Sequence, residues 1–160
     1  AYIQNSRAKG KLNVGVDVRN AKEIKSYCKK VGISVVEILS HNDAESGRNA
    51  LISLRKEHPE VTGVIGLNDL ATIGFISAAK EIGLEIPKDL SIISINTPNN
   101  QVHMTWPSLT TIQLPAHQMG RAAAELLMHL VRGEENPNAQ QLFVGDLEVR
   151  GTTAKPPTKR

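Results

Sequence analysis

The chain has 160 residues, of which 40% are hydrophobic and only 3% aromatic, so a single domain with an aliphatic core is expected. Its formal net charge of +3 comes from the last ten residues, which hold three of the 19 basic side chains and none of the 16 acidic ones. A nucleic-acid-binding domain usually carries a basic stripe on its folded face, and a neutral body argues against such a domain here. Residues 155–160, a proline-rich and basic tail, are expected to be disordered.

The sequence shows no features of membrane insertion or secretion. No apolar run approaches the roughly 20 residues that are needed to cross a bilayer. The first residues, AYIQNSRAKGKL, contain neither the apolar segment nor the cleavage signal of a secretory leader. Cys28 is the single cysteine, which excludes an internal disulfide and a cysteine-cluster metal site. We therefore expect a cytoplasmic protein with no membrane attachment, no metal and no cofactor.

Six short segments rich in β-branched and aliphatic residues are predicted to be strands. Several of them are apolar on both faces, which is typical of strands buried in a parallel sheet. They are the AYI segment at the start of the chain and residues 34–39, 63–67, 90–95, 109–114 and 146–149.

Four amphipathic segments between these strands are predicted to be helices. Asp43 is suited to be the N-cap of the second, because its side chain can accept a hydrogen bond from a free backbone N–H. Pro115 is expected at the start of the fourth helix. Glycines are expected to end the first, third and fourth helices, at Gly32, Gly83 and Gly133. The predicted helices span residues 20–31, 44–57, 70–82 and 116–132.

The alternation of strands and helices predicts an α/β fold, a three-layer α/β/α Rossmann-like lobe with a mostly parallel sheet. One connection, residues 96–108, is long and irregular, and loops of that length in compact domains are usually functional. The chain begins directly with a predicted strand, and helix 116–132 has a wide apolar face. We therefore expect a piece of a larger protein, the alternative being a fold that simply begins with an apolar strand.

Residue patterns that mark enzymes are mostly absent from the sequence. It lacks the nucleophile elbow G-x-S-x-G, the phosphate-binding loop G-x-x-x-x-G-K-[ST] and the dinucleotide-binding G-x-G-x-x-G. The five histidines have no ligand spacing with one another or with Cys28. Cys28 lies on the apolar stripe of a predicted helix, where a core role is more typical than a nucleophilic one. We therefore predict that the protein is not an enzyme.

Polar residues follow three of the predicted strands. Asn42, Asn68 and Asn96 lie at or next to the carboxyl ends of these strands, where doubly wound sheets bind their ligands. An amide both donates and accepts hydrogen bonds, which suits a neutral, hydroxyl-rich ligand. Arg19, at the start of the first predicted helix, would lie on the same edge and could hold vicinal hydroxyls or a carboxylate. The alternatives are structural. Asn96 would only begin a turn, Arg19 would be a surface arginine, and Asp69, next to Asn68, would only cap helix 70–82.

Three longer segments are distinctive in combination. They read VIGLNDLATIGFISAAKEIGLEIPKDLSIISIN, PSLTTIQLPAHQMGRAAAELLMHLVRG and LEVRGTTA, and they are supported by DAESGRNAL. These segments contain N-D after an apolar strand, a P-x-D strand entry, and P-x-L-T-T before a helix with M-G. In this order and spacing they resemble the C-terminal part of the effector-binding domain of the LacI/GalR family of bacterial transcription repressors.

The resemblance implies a periplasmic-binding-protein-like fold of type I with two Rossmann-like lobes. Residues 1–154 would form the C-terminal lobe, and helix 116–132 would cross back to an N-terminal lobe that is otherwise missing. The DNA-binding helix-turn-helix would also lie outside this chain.

The resemblance also implies which residues bind the effector. Asn68 matches the family's sugar-contacting asparagine, and Asn96 stands where the family usually has an aspartate that grips ligand hydroxyls. Asparagine keeps the hydrogen-bond acceptor but loses the charge. This difference affects which ligand binds and how tightly it binds. Arg19 and Asn42 match effector-contacting positions only loosely.

A homodimer is implied as well, formed by helix 70–82 and the loop before PSLTT. The helix is apolar nearly all round, whereas a helix that covers a core needs only about 100° of apolar surface. An exposed apolar patch usually marks an interface. The alternative is a helix between two layers of one larger domain. The predicted interface residues are Ile73, Ile76, Ala79 and Trp106.

Together these observations predict an effector-binding and dimerisation module of a ligand-responsive, DNA-binding transcription repressor. Its effector is expected to be a sugar or sugar-like molecule that shifts the arrangement of two lobes and so changes operator affinity. The partners would be the effector, a second identical subunit, and operator DNA through a domain outside the chain. A periplasmic-type sugar-binding protein of a transport system and a small α/β enzyme are the alternatives.

Overall fold

The computed structural model of the protein describes residues 1–5, 15–67, 69–95, 97–134 and 140–156, which contain six strands and four helices. The strands are β1 (Tyr2–Asn5), β2 (Glu37–Ser40), β3 (Gly63–Gly66), β4 (Ser91–Ile95), β5 (Thr110–Gln113) and β6 (Asp146–Glu148). The helices are α1 (Gly15–Lys30), α2 (Ala44–Glu57), α3 (Asp69–Glu81) and α4 (Ala116–Val131). Every predicted element is present, and the start of α1 differs most from its predicted position at residue 20.

The six strands form one sheet in the order β2-β1-β3-β4-β5-β6. All neighbouring pairs are parallel except β5 and β6, which are antiparallel. Each parallel pair requires a crossover connection, and α1, α2 and α3 provide crossovers between the first four strands. The predicted mostly parallel, Rossmann-like sheet is therefore confirmed.

Helices cover both faces of the sheet. Successive side chains of a strand point to opposite faces. Ile3, Val64 and Ile92 belong to one buried core cluster with residues of α2 and α3. Tyr2 points to the other face, where Lys25 of α1 lies over its ring with Nζ 5.8 Å from the ring centroid. The arrangement confirms the predicted three layers.

The contact between α2 and α3 depends on two glycines. A Cβ added to Gly47 of α2 would lie 1.9 Å from the carbonyl oxygen of Ala71. A Cβ added to Gly74 of α3 would lie 2.1 Å from the carbonyl oxygen of Ala44. No side chain fits at such distances, so the backbones of the two helices meet directly. Close-packed interiors favour this arrangement because it leaves no void between the helices.

The position of α3 explains why this helix is apolar around most of its circumference. It packs against the sheet on one side and against α2 on another, and it contributes residues to one core cluster with both. Ile76 and Ala79 are 4% and 0% exposed. They are therefore core residues of this chain and not the outward-facing interface residues that the sequence pattern predicted. The second apolar neighbour of α3 is a helix of the same chain.

Capping follows the predictions. The carboxylate of Asp43 accepts the backbone N–H of Ser46 at 2.7 Å, as expected of an N-cap. Gly32, Gly83 and Gly133 follow α1, α3 and α4 with φ angles of 71°, 74° and 68°, in the region where a helix C-terminus favours glycine.

Helix α4 lies apart from this core. None of its residues is buried, although it is strongly amphipathic. Met119, Ala122 and Leu126 line a cavity of about 210 Å³ together with Phe143 from the segment before β6. Leu130, further along the helix, is 63% exposed. The wide apolar face that the sequence predicted is thus present and is largely uncovered by the residues that the structure describes.

Within the described ranges, no helix is long and apolar enough to cross a bilayer.

The basic tail, residues 155–160, was predicted to be disordered. Lys155 and Pro156 are exposed, and residues 157–160 lie outside the described residues.

Candidate functional site

The carboxyl ends of the parallel strands lie along one edge of the sheet, which we call the carboxyl edge. It comprises residues 40–43 after β2, residues 67 and 69–70 after β3, residue 97 after β4 and residue 113 at the end of β5. Helices α2 and α3 begin at this edge. Open α/β sheets bind ligands outside the carboxyl ends of their strands, so this edge is the candidate site.

Asn42 joins two connections across the carboxyl edge. Its side-chain oxygen accepts the backbone N–H of Leu70 at 3.1 Å, and the carboxylate of Asp69 accepts the same N–H at 2.8 Å. The connection after β2 is thereby tied to the first turn of α3. The Asn42 carbonyl has a structural role, whereas its NH₂ group has no hydrogen-bond partner among the described residues and is available to a ligand.

Acidic side chains occupy the starts of both helices at this edge. Asp43 accepts hydrogen bonds from the backbone N–H and the hydroxyl of Ser46, at 2.7 and 3.0 Å. The backbone N–H of Ser46 lowers the pKa of the Asp43 carboxyl below its usual value. Asp69 lies in the first turn of α3. A helix N-terminus attracts anions, but here the chain's own carboxylates already fill these positions, which disfavours a negatively charged ligand.

A buried chain of hydroxyl groups connects β4 and β5 next to the carboxyl edge. The hydroxyl oxygens of Thr97 and Ser94 are 2.6 Å apart, and Ser94 donates to the hydroxyl of Thr111 at 2.9 Å. Thr111 in turn donates to the backbone carbonyl of Ser94 at 3.2 Å. Each of the three hydroxyls is therefore used, as buried polar groups require.

Gln113 completes this network at the surface. Its side-chain Nε2 donates to the backbone carbonyl of Thr97 at 2.7 Å. Thr97 follows a predicted strand and was expected at this edge beside Asn96, whereas Gln113, Ser94 and Thr111 were not predicted site residues. A signal was available, because polar residues interrupt the otherwise apolar segments SIISI and LTTIQL. These polar positions can be interpreted only when it is known that β4 and β5 are adjacent strands and which of their residues lie opposite each other.

The four predicted ligand-binding residues have different positions. Asn42 lies at the carboxyl edge and is exposed. Arg19 is also exposed, on the second turn of α1. Asn68 and Asn96 lie outside the described residues, so their predicted contacts stay predictions.

The two remaining predicted interface residues are accessible. Ile73 is half-buried, and Trp106, in the loop between β4 and β5, is 86% exposed. Trp106 borders a cavity of about 350 Å³ that is also lined by Ile76 and Lys80 of α3. The loop and α3 therefore adjoin, and they present apolar side chains on one side of the molecule.

A second cavity, of about 400 Å³, runs beside the edge strand β2 and the neighbouring face of α2. It reaches the carboxyl edge at Ser40 and His41. No group of three or more His, Cys, Asp or Glu side chains is placed to hold a metal ion within the described ranges. The groups that the site offers are mainly hydrogen-bonding ones.

Known proteins share this architecture. Residues 11–153 match the family model described as periplasmic binding protein-like domain. The chain is 35% identical over 101 residues to the HTH-type transcriptional regulator MalR of Streptomyces coelicolor, an overlap of 63% of this chain and 29% of that protein. It is 33% identical over 109 residues to the HTH-type transcriptional repressor CytR of Escherichia coli, covering 68% of this chain and 32% of that protein.

A solved structure of a LacI family transcriptional regulator from Arthrobacter sp., in complex with lactose, aligns with a TM-score of 0.80. Its sequence is 26% identical, and the match covers 96% of this chain and 57% of that one. This chain thus spans less than a third of these two curated relatives and over half of the solved one. The relatives that it resembles are named as transcriptional regulators, one of them of the LacI family. The chain belongs to the periplasmic binding protein-like domain family.

Proposed function

We propose that this chain is the C-terminal lobe of the effector-binding domain of a ligand-responsive, DNA-binding transcription repressor. The observation that carries the proposal is the match over residues 11–153 together with the names of the relatives, which are transcription regulators. The same names favour a regulator over a transport-system binding protein and over an enzyme. A cytoplasmic location follows from the need to reach operator DNA.

The effector is a neutral, hydroxyl-rich molecule, and we infer a sugar. One solved relative is in complex with lactose. The carboxyl edge supports a neutral ligand, because Asp43 and Asp69 already occupy the starts of α2 and α3. Amide groups such as that of Asn42 suit hydroxyls, since they both donate and accept. Asn68, Asn96 and Arg19 are the further proposed contacts.

The effector would bind between this lobe and a second one. The carboxyl edge is open on this chain, with His41, Asn42 and Asp43 all exposed. Helix α4 leaves Leu130 and Val131 exposed, which is consistent with its belonging to the other lobe. A ligand that contacts both lobes favours their closed arrangement and thereby changes the affinity of the DNA-binding heads for the operator.

The proposal also includes a homodimer formed through this lobe. The outer surface of α3 and the loop before β5 adjoin. Met104 and Trp106 of the loop are exposed, and Ile73 of α3 is half-buried. Trp and Met are enriched at protein interfaces, where aromatic side chains often supply much of the binding energy. Two copies of this surface would form an isologous interface, as most dimers do.

The decisive experiment uses the full-length protein that carries this sequence. Lactose, maltose, cellobiose and galactose are screened by thermal shift, and each is tested for its effect on operator binding. We expect one of these sugars or a close relative to raise the melting temperature and to change operator affinity. The isolated chain, with only half of the site, is expected to bind the same sugar weakly or not at all. No DNA affinity together with no stabilisation by any sugar would contradict the proposal.

A further inference from the structure

Gln113 of β5 is hydrogen-bonded to the connection that follows β4. Among the described residues, the pairing of the two strands runs to Ile95 opposite Ile112, and Gln113 is the next residue of β5. Its side chain reaches across to the Thr97 backbone carbonyl at 2.7 Å. The side-chain amide thus adds a hydrogen bond between β5 and the connection after β4.

Thr97 is held from a second direction by the buried hydroxyl chain. Its hydroxyl lies 2.6 Å from that of Ser94, which donates to Thr111. Thr97 is fully buried. A buried hydroxyl or carbonyl that loses its partner is destabilising, so both bonds oppose any displacement of this residue. The main chain that leaves β4 is therefore fixed at Ile95 by the sheet and at Thr97 by side chains.

We propose that Gln113 is a positioning residue of the effector site, a statement that rests on the proposed function. Thr97 belongs to the carboxyl edge, where the proposed effector contacts lie, so the bonds that fix Thr97 also fix this part of the edge. Gln113 acts through Thr97 and does not itself touch the effector. A contact that is already in place before binding loses less conformational entropy when the effector binds.

Three variants of the full-length protein test the proposal. Gln113→Glu keeps the size of the side chain but replaces the NH₂ donor with an oxygen that faces the Thr97 carbonyl. Gln113→Lys keeps a donor that can reach the same carbonyl. Gln140→Glu makes the same chemical change at an exposed position away from the elements of the network and serves as the matched control.

The first measurement needs no ligand. Hydrogen exchange is followed in peptides covering residues 97–106, where the N–H groups of Gln101 and Val102 both donate to the carbonyl of Pro98. Gln113→Glu is expected to speed exchange in this segment, whereas Gln113→Lys and Gln140→Glu leave it unchanged. Unchanged exchange in Gln113→Glu, or equal acceleration in Gln113→Lys, would overturn the positioning role.

The second measurement is the dissociation constant for whichever of lactose, maltose, cellobiose and galactose stabilises the full-length protein. Loss of one hydrogen bond in Gln113→Glu is expected to weaken binding about 2- to 10-fold, with Gln113→Lys within twofold of the unsubstituted protein. Faster exchange with unchanged affinity would show a structural role only and overturn the proposal. If none of the sugars binds and the protein also has no DNA affinity, the proposed function fails, while the exchange measurement still decides whether Gln113 fixes Thr97.

Discussion

The backbone N–H of Leu70, in the first turn of α3, donates to the side-chain oxygen of Asn42, which lies 28 residues earlier in the connection after β2. Asn42 thus offers two separable groups at the carboxyl edge. Its carbonyl oxygen accepts an N–H at a helix start together with the Asp69 carboxylate, and its NH₂ group is the proposed contact for the effector.

Substitutions at Asn42 are expected to separate these functions. Asn42→Ala removes one of the two acceptors of the Leu70 N–H and should lower the free energy of unfolding by about 0.5 kcal/mol. This is the lower end of the usual effect of losing a cap, because the Asp69 carboxylate still accepts this N–H. Asn42→Asp keeps the acceptor and should retain stability, but it loses the donor and should weaken effector binding. Urea denaturation and sugar titration of the full-length protein check the two effects. Equal loss of stability in both variants would contradict the assignment.

A second prediction concerns the close contact between α2 and α3 at Gly47 and Gly74. Gly74→Ala places a methyl group 2.1 Å from the carbonyl oxygen of Ala44, so the helices must separate. We expect a loss of about 1–3 kcal/mol in the free energy of unfolding, the usual range for overpacking. Gly120→Ala in α4 is the matched control, since nothing lies within 4 Å of its added Cβ. It should be neutral or stabilising, because alanine favours helices. Similar destabilisation of both variants would count against the close contact.

The proposed dimer surface predicts different outcomes for neighbouring residues. Trp106→Glu, at an exposed position, should leave the fold intact and weaken dimerisation by at least about 2 kcal/mol if Trp106 is a central contact. Ile73→Glu should also weaken the dimer. Ile76→Glu should instead unfold the lobe, because Ile76 is in the core. Sedimentation velocity and circular dichroism distinguish the two effects.

Leu142→Glu provides the control for these dimer variants, since Leu142 is 97% exposed and lies in the segment before β6. It should change neither the sedimentation coefficient nor the fold. A dimer that persists in both Trp106→Glu and Ile73→Glu would exclude this surface as the interface.

Asp43 gives the stability a defined dependence on pH. Its pKa is lowered in the folded protein because the backbone N–H of Ser46 donates to the carboxylate. A group whose pKa is lower when folded contributes stability above its unfolded pKa of about 3.9, and this contribution is lost as the pH falls through the folded pKa. The stability difference between the unsubstituted protein and Asp43→Asn should therefore shrink below about pH 4. A difference that stays constant from pH 7 to pH 3 would contradict the contribution.

Much of the fold follows from local features of the sequence. Short apolar strands, amphipathic helices and cap residues such as Asp43 and Gly83 act over a few positions, so their patterns can be read directly. The order of βα units then restricts the topology to a mostly parallel sheet. The resemblance to the LacI/GalR family further predicted the class of ligand, a sugar, and a homodimer.

The sequence alone determined that the chain is an α/β lobe and where its candidate ligand-binding edge lies, because these properties depend on residue periodicity and on the position of strand ends. Tertiary structure decided which apolar residues of α3 are core, placing Ile76 and Ala79 inside through the glycine contact with α2. It also joined Gln113 to Thr97 and Asn42 to Leu70. These pairs are 16 and 28 residues apart in sequence, and only the arrangement of strands and helices brings their hydrogen-bonding groups together.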